Sequence, residues 1–78
     1  MNWDGDPPLV YSDHAERQMR KRDITEPDVE GVVRDANNTY PGHGGCTCVD
    51  AHTSKGRLRV VLAVSTTELK VVSTYYLT

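Results

Sequence analysis

The chain contains no phenylalanine, two cysteines and one tryptophan among its 78 residues. Two cysteines are too few for the disulfide framework of a small secreted domain, so we expect Cys46 and Cys48 to be reduced thiols. No apolar run approaches the roughly 20 residues that a transmembrane helix needs. The N-terminal segment has neither the basic region nor the apolar segment of a signal peptide. These absences predict a cytoplasmic protein that does not contact a membrane.

An excess of positive charge is also lacking, since nine Lys and Arg residues stand against eleven Asp and Glu residues. A strongly basic balance would have indicated nucleic-acid binding directly. Residues 1–35 hold five bases and nine acids, whereas residues 36–78 hold four bases and two acids. A chain this short buries roughly 60% of the surface that its unfolded form exposes. We therefore expect one domain, with any binding site in a shallow groove.

Two helices are predicted in the first half of the chain. The first begins at Asp13, which forms a near capping box with Glu16, and runs to about residue 22. The second is capped by Thr25 and has Pro27 in its first turn. Its apolar residues recur at helical spacing and are expected to face the core: Val29, Val32, Val33 and Ala36.

The second half of the chain is predicted to form strands, over residues 46–51, 57–64 and 69–77, with a shorter one at 39–40. Residues 9–11 form either a short strand or a contact onto the first helix. Short loops between strands favour an antiparallel meander. The predicted fold is α+β, with two N-terminal helices packed on one face of a three- to four-stranded antiparallel sheet. Residues 1–8 are expected to be a flexible tail, and residues 9–78 a single domain.

One face of the first helix is cationic rather than apolar. His14, Gln18 and Lys21 share this face by helical spacing, with Arg17 at its edge and Arg22 nearby. A histidine can exchange a proton near neutral pH, and fixed cations beside it can hold a phosphate and stabilise charge that develops on it. Cleavage of RNA by its own 2′-hydroxyl needs a base, an acid and a cation, but no metal. The alternative is an ordinary solvated helix face.

A second group of bases lies on the predicted strands. Arg57 and Arg59 point to the same sheet face because strand side chains alternate. They can contact phosphates and stack bases together with Lys55, Lys70, Thr74, Tyr75 and Tyr76. The alternative is an edge strand kept soluble by its charges.

The segment from residue 43 to residue 52 contains His43, Cys46, Cys48 and His52, whose side chains can bind zinc. An extended segment from 46 to 52 would place its ends about 20 Å apart at ~3.3 Å per residue. Ligand atoms around one zinc ion lie at most roughly 4–5 Å apart. A partial site from the first three residues would require the glycine-rich loop to fold back. We expect no metal and no other cofactor.

The first helix and the start of the second resemble a small bacterial and phage family of unknown function. The pattern of that family is His-Ala-x-x-Arg-Met-x-x-Arg-Gly-Ile, then Ser/Thr-x-x-Asp/Glu-Val/Ile. The matching residues are His14, Ala15, Met19, Arg22, Ile24, Thr25, Asp28 and Val29. Less specific similarity in residues 56–61 and 71–75 extends the resemblance over about residues 11–76.

That family is grouped with the RelE- and barnase-like ribonuclease toxins. The resemblance implies two helices on a four-stranded antiparallel sheet, metal-independent RNA cleavage and a partner antitoxin. Carried over by position, the matching site residues are His14, Arg22, Thr74 and either Arg57 or Arg59. The chain departs from the pattern at Gln18, where the family has its first arginine, and at Asp23, where it has glycine.

We therefore predict a metal-independent endoribonuclease of the toxin type. The predicted catalytic residues are His14, Arg17, Arg22, Arg59 and Thr74. The predicted substrate-binding residues are Gln18, Lys21, Arg57 and Tyr76. The predicted partners are RNA, an antitoxin protein and a second copy of the chain, which would pair through a strand edge such as residues 69–77. The alternative prediction is a non-catalytic module that binds protein or nucleic acid on the same scaffold.

Overall fold

Two helices and five strands build the protein, in a computed structural model that describes residues 3, 7–36 and 38–77. The strands are β1 (Leu9–Tyr11), β2 (Asn38–Pro41), β3 (Thr47–Thr53), β4 (Gly56–Val64) and β5 (Leu69–Leu77). The helices are α1 (Asp13–Arg22) and α2 (Glu26–Asp35), and a 3₁₀ turn (His43–Gly45) precedes β3. The predicted α+β class with two N-terminal helices is therefore confirmed.

The five strands form one mixed sheet in the order β1-β5-β4-β3-β2. Strands β2 to β5 pair antiparallel, but β1 pairs parallel with β5. The prediction of a three- to four-stranded antiparallel sheet is therefore wrong in strand number and in the direction of one edge strand. The reason is that β1 enters the ladder beside Leu69–Val71. The Leu69 N–H donates to the Pro8 carbonyl at 3.0 Å, and the Ser12 N–H donates to the Val71 carbonyl at 2.9 Å.

Helix α1 is capped by Ser12 rather than by the predicted Asp13. The Ser12 hydroxyl oxygen accepts from the Ala15 N–H at 3.0 Å, which satisfies a free donor of the first turn. The same hydroxyl donates to the carbonyl of Val72 in β5 at 3.3 Å, so the cap also ties the helix to the sheet. At the other end, Asp23 adopts a left-handed conformation (φ 56°, ψ 44°). Glycine reaches that conformation with less strain than any other residue.

Helix α2 begins with the predicted Thr25 cap. The Thr25 hydroxyl oxygen accepts from the Asp28 N–H at 3.3 Å, and the Asp28 carboxylate accepts from the Thr25 N–H at 3.0 Å. This reciprocal capping box satisfies two backbone donors. The hydrogen bond from the Thr25 backbone lowers the pKa of the Asp28 carboxyl.

Both helices pack on the same face of the sheet, with α1 against β5 and α2 against β3 and β4. Their buried residues share one core with alternating residues of the strands. The helix side of that core contains Ala15, Met19, Ile24, Val29, Val32 and Val33, and the sheet side contains Val49, Leu58, Val60, Leu62, Leu69 and Val71. The opposite, helix-free face of the sheet is called the outer face below.

A β-bulge interrupts the alternation of β5. Leu62 pairs with Val71, but Val61 pairs with Ser73, so Val72 has no partner of its own. After the bulge the inward positions are Thr74 and Tyr76, which pair with core positions of β4, and Tyr75 lies on the outer face. The bulge therefore decides which residues of the closing strand reach solvent.

The predicted tail of residues 1–8 is described only in part, since residues 1, 2 and 4–6 lie outside the described residues. Trp3 is buried against the core. Its indole N–H donates to the Pro7 carbonyl at 3.0 Å, and the Arg34 guanidinium lies 5.6 Å from its ring centroid. Trp3 therefore adds to the hydrophobic core.

Candidate functional site

The predicted helix residues lie together on α1. His14, Arg17, Gln18, Lys21 and Arg22 line an open groove of about 340 Å³, which we call the α1 groove. All but Gln18 are exposed. Within the described part of the chain, none of the three cations in this groove forms an ion pair. Their charge is therefore available to an anion.

The same bases also stabilise the helix itself. Arg20, Lys21 and Arg22 occupy the last turn of α1, and Asp13 and Glu16 occupy the first turn. This distribution complements the helix dipole, with a typical effect of roughly 0.3–1 kcal/mol per charge. Arg20 points to the other side of α1, where it lines a separate groove with Glu16 and Asp23. The helix dipole thus accounts for Lys21 and Arg22 but not for Arg17, which lies before the last turn.

Gln18 connects α1 to β5. Its amide oxygen accepts two hydrogen bonds, one from the Ser73 hydroxyl and one from the Thr74 N–H, each at 3.0 Å. In the predicted edge strand of residues 69–77, β1 covers Leu69–Val71 and Gln18 satisfies the Thr74 N–H, so only part of that edge is open. The predicted pairing with a second copy of the chain stays a prediction. The amide nitrogen of Gln18 is the part that can still bind a substrate.

Thr74 lies inside the protein, with an exposed fraction of 0%. Its hydroxyl donates to the Arg59 carbonyl at 2.9 Å, and its N–H donates to Gln18. Both of its donors are used by the fold. The structure thus places this predicted catalytic residue between α1 and β4.

Arg57 and Arg59 lie on the outer face around one buried carboxylate. The Asp50 Oδ2 atom is 3.6 Å from Arg57 Nε and 3.3 Å from Arg59 Nη2, and it accepts from the Tyr40 hydroxyl at 2.8 Å. Arg59 Nη2 also donates to the Tyr40 hydroxyl. We call these four residues the outer-face cluster. With two guanidinium groups and one carboxylate, it carries a net charge of +1.

The outer-face cluster keeps the Tyr40 hydroxyl protonated. Burial and the hydrogen bond to Asp50 raise the pKa of the Tyr40 hydroxyl, so it remains a donor at neutral pH. The guanidinium carbon of Arg59 lies 4.9 Å from the centroid of the Tyr40 ring, within the range of a cation–π contact.

Two other predicted residues, Lys55 and Tyr76, lie on the helix side of the sheet instead. Lys55 lies on the helix side, where its ammonium group donates to the Asp23 carbonyl at 2.8 Å and is 3.5 Å from the Asp28 carboxylate. Tyr76 packs against the core from the same side. Lys55 therefore connects the C-terminal end of α1 to the start of β4.

A comparison with protein-family models matches residues 11–76 to a domain of unknown function, DUF4258. The chain belongs to the DUF4258 family. No curated protein and no solved structure matches it. The match confirms the predicted membership of a family of unknown function. The grouping of that family with the RelE- and barnase-like toxins stays a prediction.

The His and Cys residues of this DUF4258 domain whose side chains can bind zinc do not form a cluster among the described residues. Among the described residues, no group of three or more His, Cys, Asp or Glu side chains could hold a metal ion. His43 is exposed in the 3₁₀ turn, whereas Cys48 is buried, and both cysteines are free thiols. No helix in the described part of the domain is long and apolar enough to cross a membrane.

Sequence reasoning missed Tyr40 and Asp50. The signal for Asp50 lay in the hairpin, since a two-residue turn at Ser54 and Lys55 places Asp50 opposite Arg59. A carboxylate across from a base on a sheet face forms a stabilising pair. Tyr40 gave no comparable signal, because β2 joins β3 only after an irregular turn whose length does not fix the register.

Proposed function

We propose that this protein is a metal-independent endoribonuclease that holds RNA phosphates in the α1 groove. The observation that carries the proposal is a histidine beside three cations without ion-pair partners among the described residues. Guanidinium and ammonium groups bind phosphates through charge-assisted hydrogen bonds. The groove is open, so a polymer can lie along it.

The reaction follows from the chemistry of these groups. The 2′-hydroxyl oxygen of one nucleotide attacks the adjacent phosphorus, and the bond to the 5′-oxygen breaks, which leaves a 2′,3′-cyclic phosphate. His14 takes the proton of the attacking hydroxyl, and a water molecule protonates the leaving oxygen. Arg17, Lys21 and Arg22 stabilise the negative charge that grows on the phosphoryl oxygens. Arg57 and Arg59 contact another part of the strand.

We also propose that the protein is a cytoplasmic toxin, with an antitoxin and a second copy of the chain as its protein partners. An antitoxin would inhibit the enzyme most directly by placing acidic residues in the α1 groove, because the unpaired cations there attract carboxylates as well as phosphates. A second copy of the chain remains a proposed partner, with β1 or β2 as the edge strand.

A non-catalytic RNA-binding module is the second candidate. It is favoured by the content of the α1 groove, where His14 is the only described side chain suited to act as a general acid or base. The Gln18 amide oxygen accepts from the Thr74 N–H, and the Thr74 hydroxyl donates to the Arg59 carbonyl, so the fold already uses these groups. Such a module would bind the same phosphates without breaking a bond.

The test is RNA cleavage in the presence of EDTA, with total RNA and with ribosome-bound messenger RNA as substrates. We expect the native protein to cleave at least one substrate, and His14→Ala to cleave roughly 100-fold or more slowly, as the loss of a general acid or base typically causes. His43→Ala is the matched control, because it removes an exposed histidine elsewhere in the fold. Cleavage by His14→Ala at the native rate would contradict the proposal, and binding of RNA without cleavage would favour the second candidate.

A further inference from the structure

The outer-face cluster contains hydrogen-bonding atoms that its internal contacts do not use. Asp50 is only 1% exposed, yet its Oδ1 atom has no hydrogen-bond partner among the described residues. The buried Nε atom of Arg59 likewise has none. Buried polar atoms without partners are costly and uncommon in folded proteins. The contacts within the cluster therefore leave one buried acceptor and one buried donor unused.

The shape of the cluster favours a flat ligand. The guanidinium group of Arg59 lies on the ring of Tyr40, and 26% of the Arg59 side chain is exposed. One side of the guanidinium plane is thus covered by the ring, while solvent still reaches the side chain. Tyr75 lies next to Arg59 on the neighbouring strand. Unpaired nucleobases stack on aromatic rings and on guanidinium planes in this kind of setting.

Arg57 is the member of the cluster that can move most easily. Its side chain is 41% exposed, and a single contact of 3.6 Å holds it to Asp50. Asp50 keeps Arg59 and the Tyr40 hydroxyl as partners when Arg57 leaves. Arg57 can therefore turn to a phosphate without leaving the buried carboxylate uncompensated.

We propose that the outer-face cluster binds an unpaired nucleobase, which makes single-stranded RNA the substrate class of the ribonuclease proposed above. The inference rests on that proposed function for the identity of the polymer. The base stacks on the exposed part of Arg59, and Arg57 contacts the phosphate of the same nucleotide. A base inside a duplex cannot bind in this way, because neighbouring bases already cover its faces.

The experiment compares three ribose-methylated oligonucleotides, whose blocked 2′-oxygens prevent cleavage during the measurement. They are a single-stranded octamer, the same octamer with its central positions abasic, and the octamer in a duplex. Fluorescence anisotropy at one fixed salt concentration gives the dissociation constants. We expect the intact single strand to bind roughly 5- to 100-fold more tightly than the abasic strand, the range that loss of one stacked base produces.

Two variants of Tyr40 and one control variant in the α1 groove test whether the preference comes from the cluster. Tyr40→Leu removes the ring and should bind the intact and abasic strands equally, while Tyr40→Phe keeps the ring and should retain most of the preference. Lys21→Gln lies in the α1 groove and should weaken binding of both single strands by the same factor. Thermal unfolding shows whether Tyr40→Leu is folded. If it is not, equal binding of the intact and abasic strands by the native protein still overturns the inference.

The outcomes separate this inference from the proposed function. Equal binding of intact and abasic strands by the native protein would overturn the inference, even in a protein that cleaves RNA. Failure to bind any of the three oligonucleotides would overturn it as well. A preference for the intact strand that Tyr40→Leu abolishes would support the inference, even if the protein cleaves no RNA.

Discussion

At the scale of single residues, Gln18 shows how a candidate site residue can serve the fold. Its amide oxygen accepts from the backbone of a fully buried residue, Thr74, and from the Ser73 hydroxyl. It satisfies a donor of β5 beyond the point where β1 ends. An arginine at this position has donors only and cannot replace these hydrogen bonds.

We predict that Gln18→Arg and Gln18→Ala each destabilise the protein by about 1–3 kcal/mol, the cost of leaving a buried N–H without a partner. Gln18→Glu keeps the acceptor and should lose less. Urea unfolding gives the three free energies of unfolding. A Gln18→Arg variant as stable as the native protein would show that the Thr74 N–H finds another acceptor.

The residues of the outer-face cluster illustrate what could be predicted at this scale. Arg57 and Arg59 were placed on one sheet face by alternation, and the structure brings them together. Their partners were not predicted, because Asp50 and Tyr40 lie on other strands and meet them only once the register is fixed. Thr74 and Tyr76 lie on the inner face rather than beside the arginines, because the bulge at Val72 reverses the alternation of side chains. Nothing in the local sequence indicates a bulge at that position.

At the scale of secondary-structure elements, the end of α1 carries a local strain. Asp23 is the only described residue other than glycine with a positive φ. Its carboxylate lies 3.7 Å from the Lys55 ammonium group, but the carboxylate is almost fully exposed, so this pair contributes little. The conformation, more than the side chain, therefore determines which residue suits this position.

We predict that Asp23→Gly stabilises the protein by roughly 0.5–1 kcal/mol, because glycine adopts the left-handed conformation without a Cβ clash. Asp23→Ala carries the same loss of charge and should be the least stable of the three proteins. Thermal unfolding of the three proteins at one pH gives their order of stability. A glycine variant less stable than the alanine variant would contradict this account of the helix end.

The elements themselves were largely predictable where the local pattern is strong. Helix α2 carries a capping box and a regular apolar stripe, and β5 matches its predicted bounds. A short strand at β1 was predictable, but its pairing partner was not, because three residues carry no information about which distant strand they join. Its parallel pairing depends on the path of the whole chain, since β1 and β5 lie at opposite ends of the sequence.

At the scale of the whole molecule, the two sides of α1 differ in charge. One side of α1 combines His14 with unpaired cations, while the other side forms a groove with Glu16, Asp23 and Glu26. The outer face adds a cluster with a net charge of +1. A protein with a net charge of −2 can thus still attract a polyanion to the α1 groove and to the outer face.

The salt dependence of RNA binding tests most directly the claim that the α1 groove holds RNA phosphates. For a single strand, the logarithm of the binding constant falls with the logarithm of the salt concentration with a slope of about −0.7 per neutralised phosphate. The ribose-methylated octamer is measured with the native protein, with the triple variant Arg17→Gln, Lys21→Gln, Arg22→Gln, and with Arg20→Gln as the control from the opposite side of the helix.

We predict that the triple variant reduces the magnitude of this slope by about 2, as expected when three cations each neutralise a phosphate. The Arg20→Gln variant should keep the native slope. If the triple variant instead binds with the native slope, the cations of the α1 groove do not contact RNA, and the proposed function loses the observation that carries it.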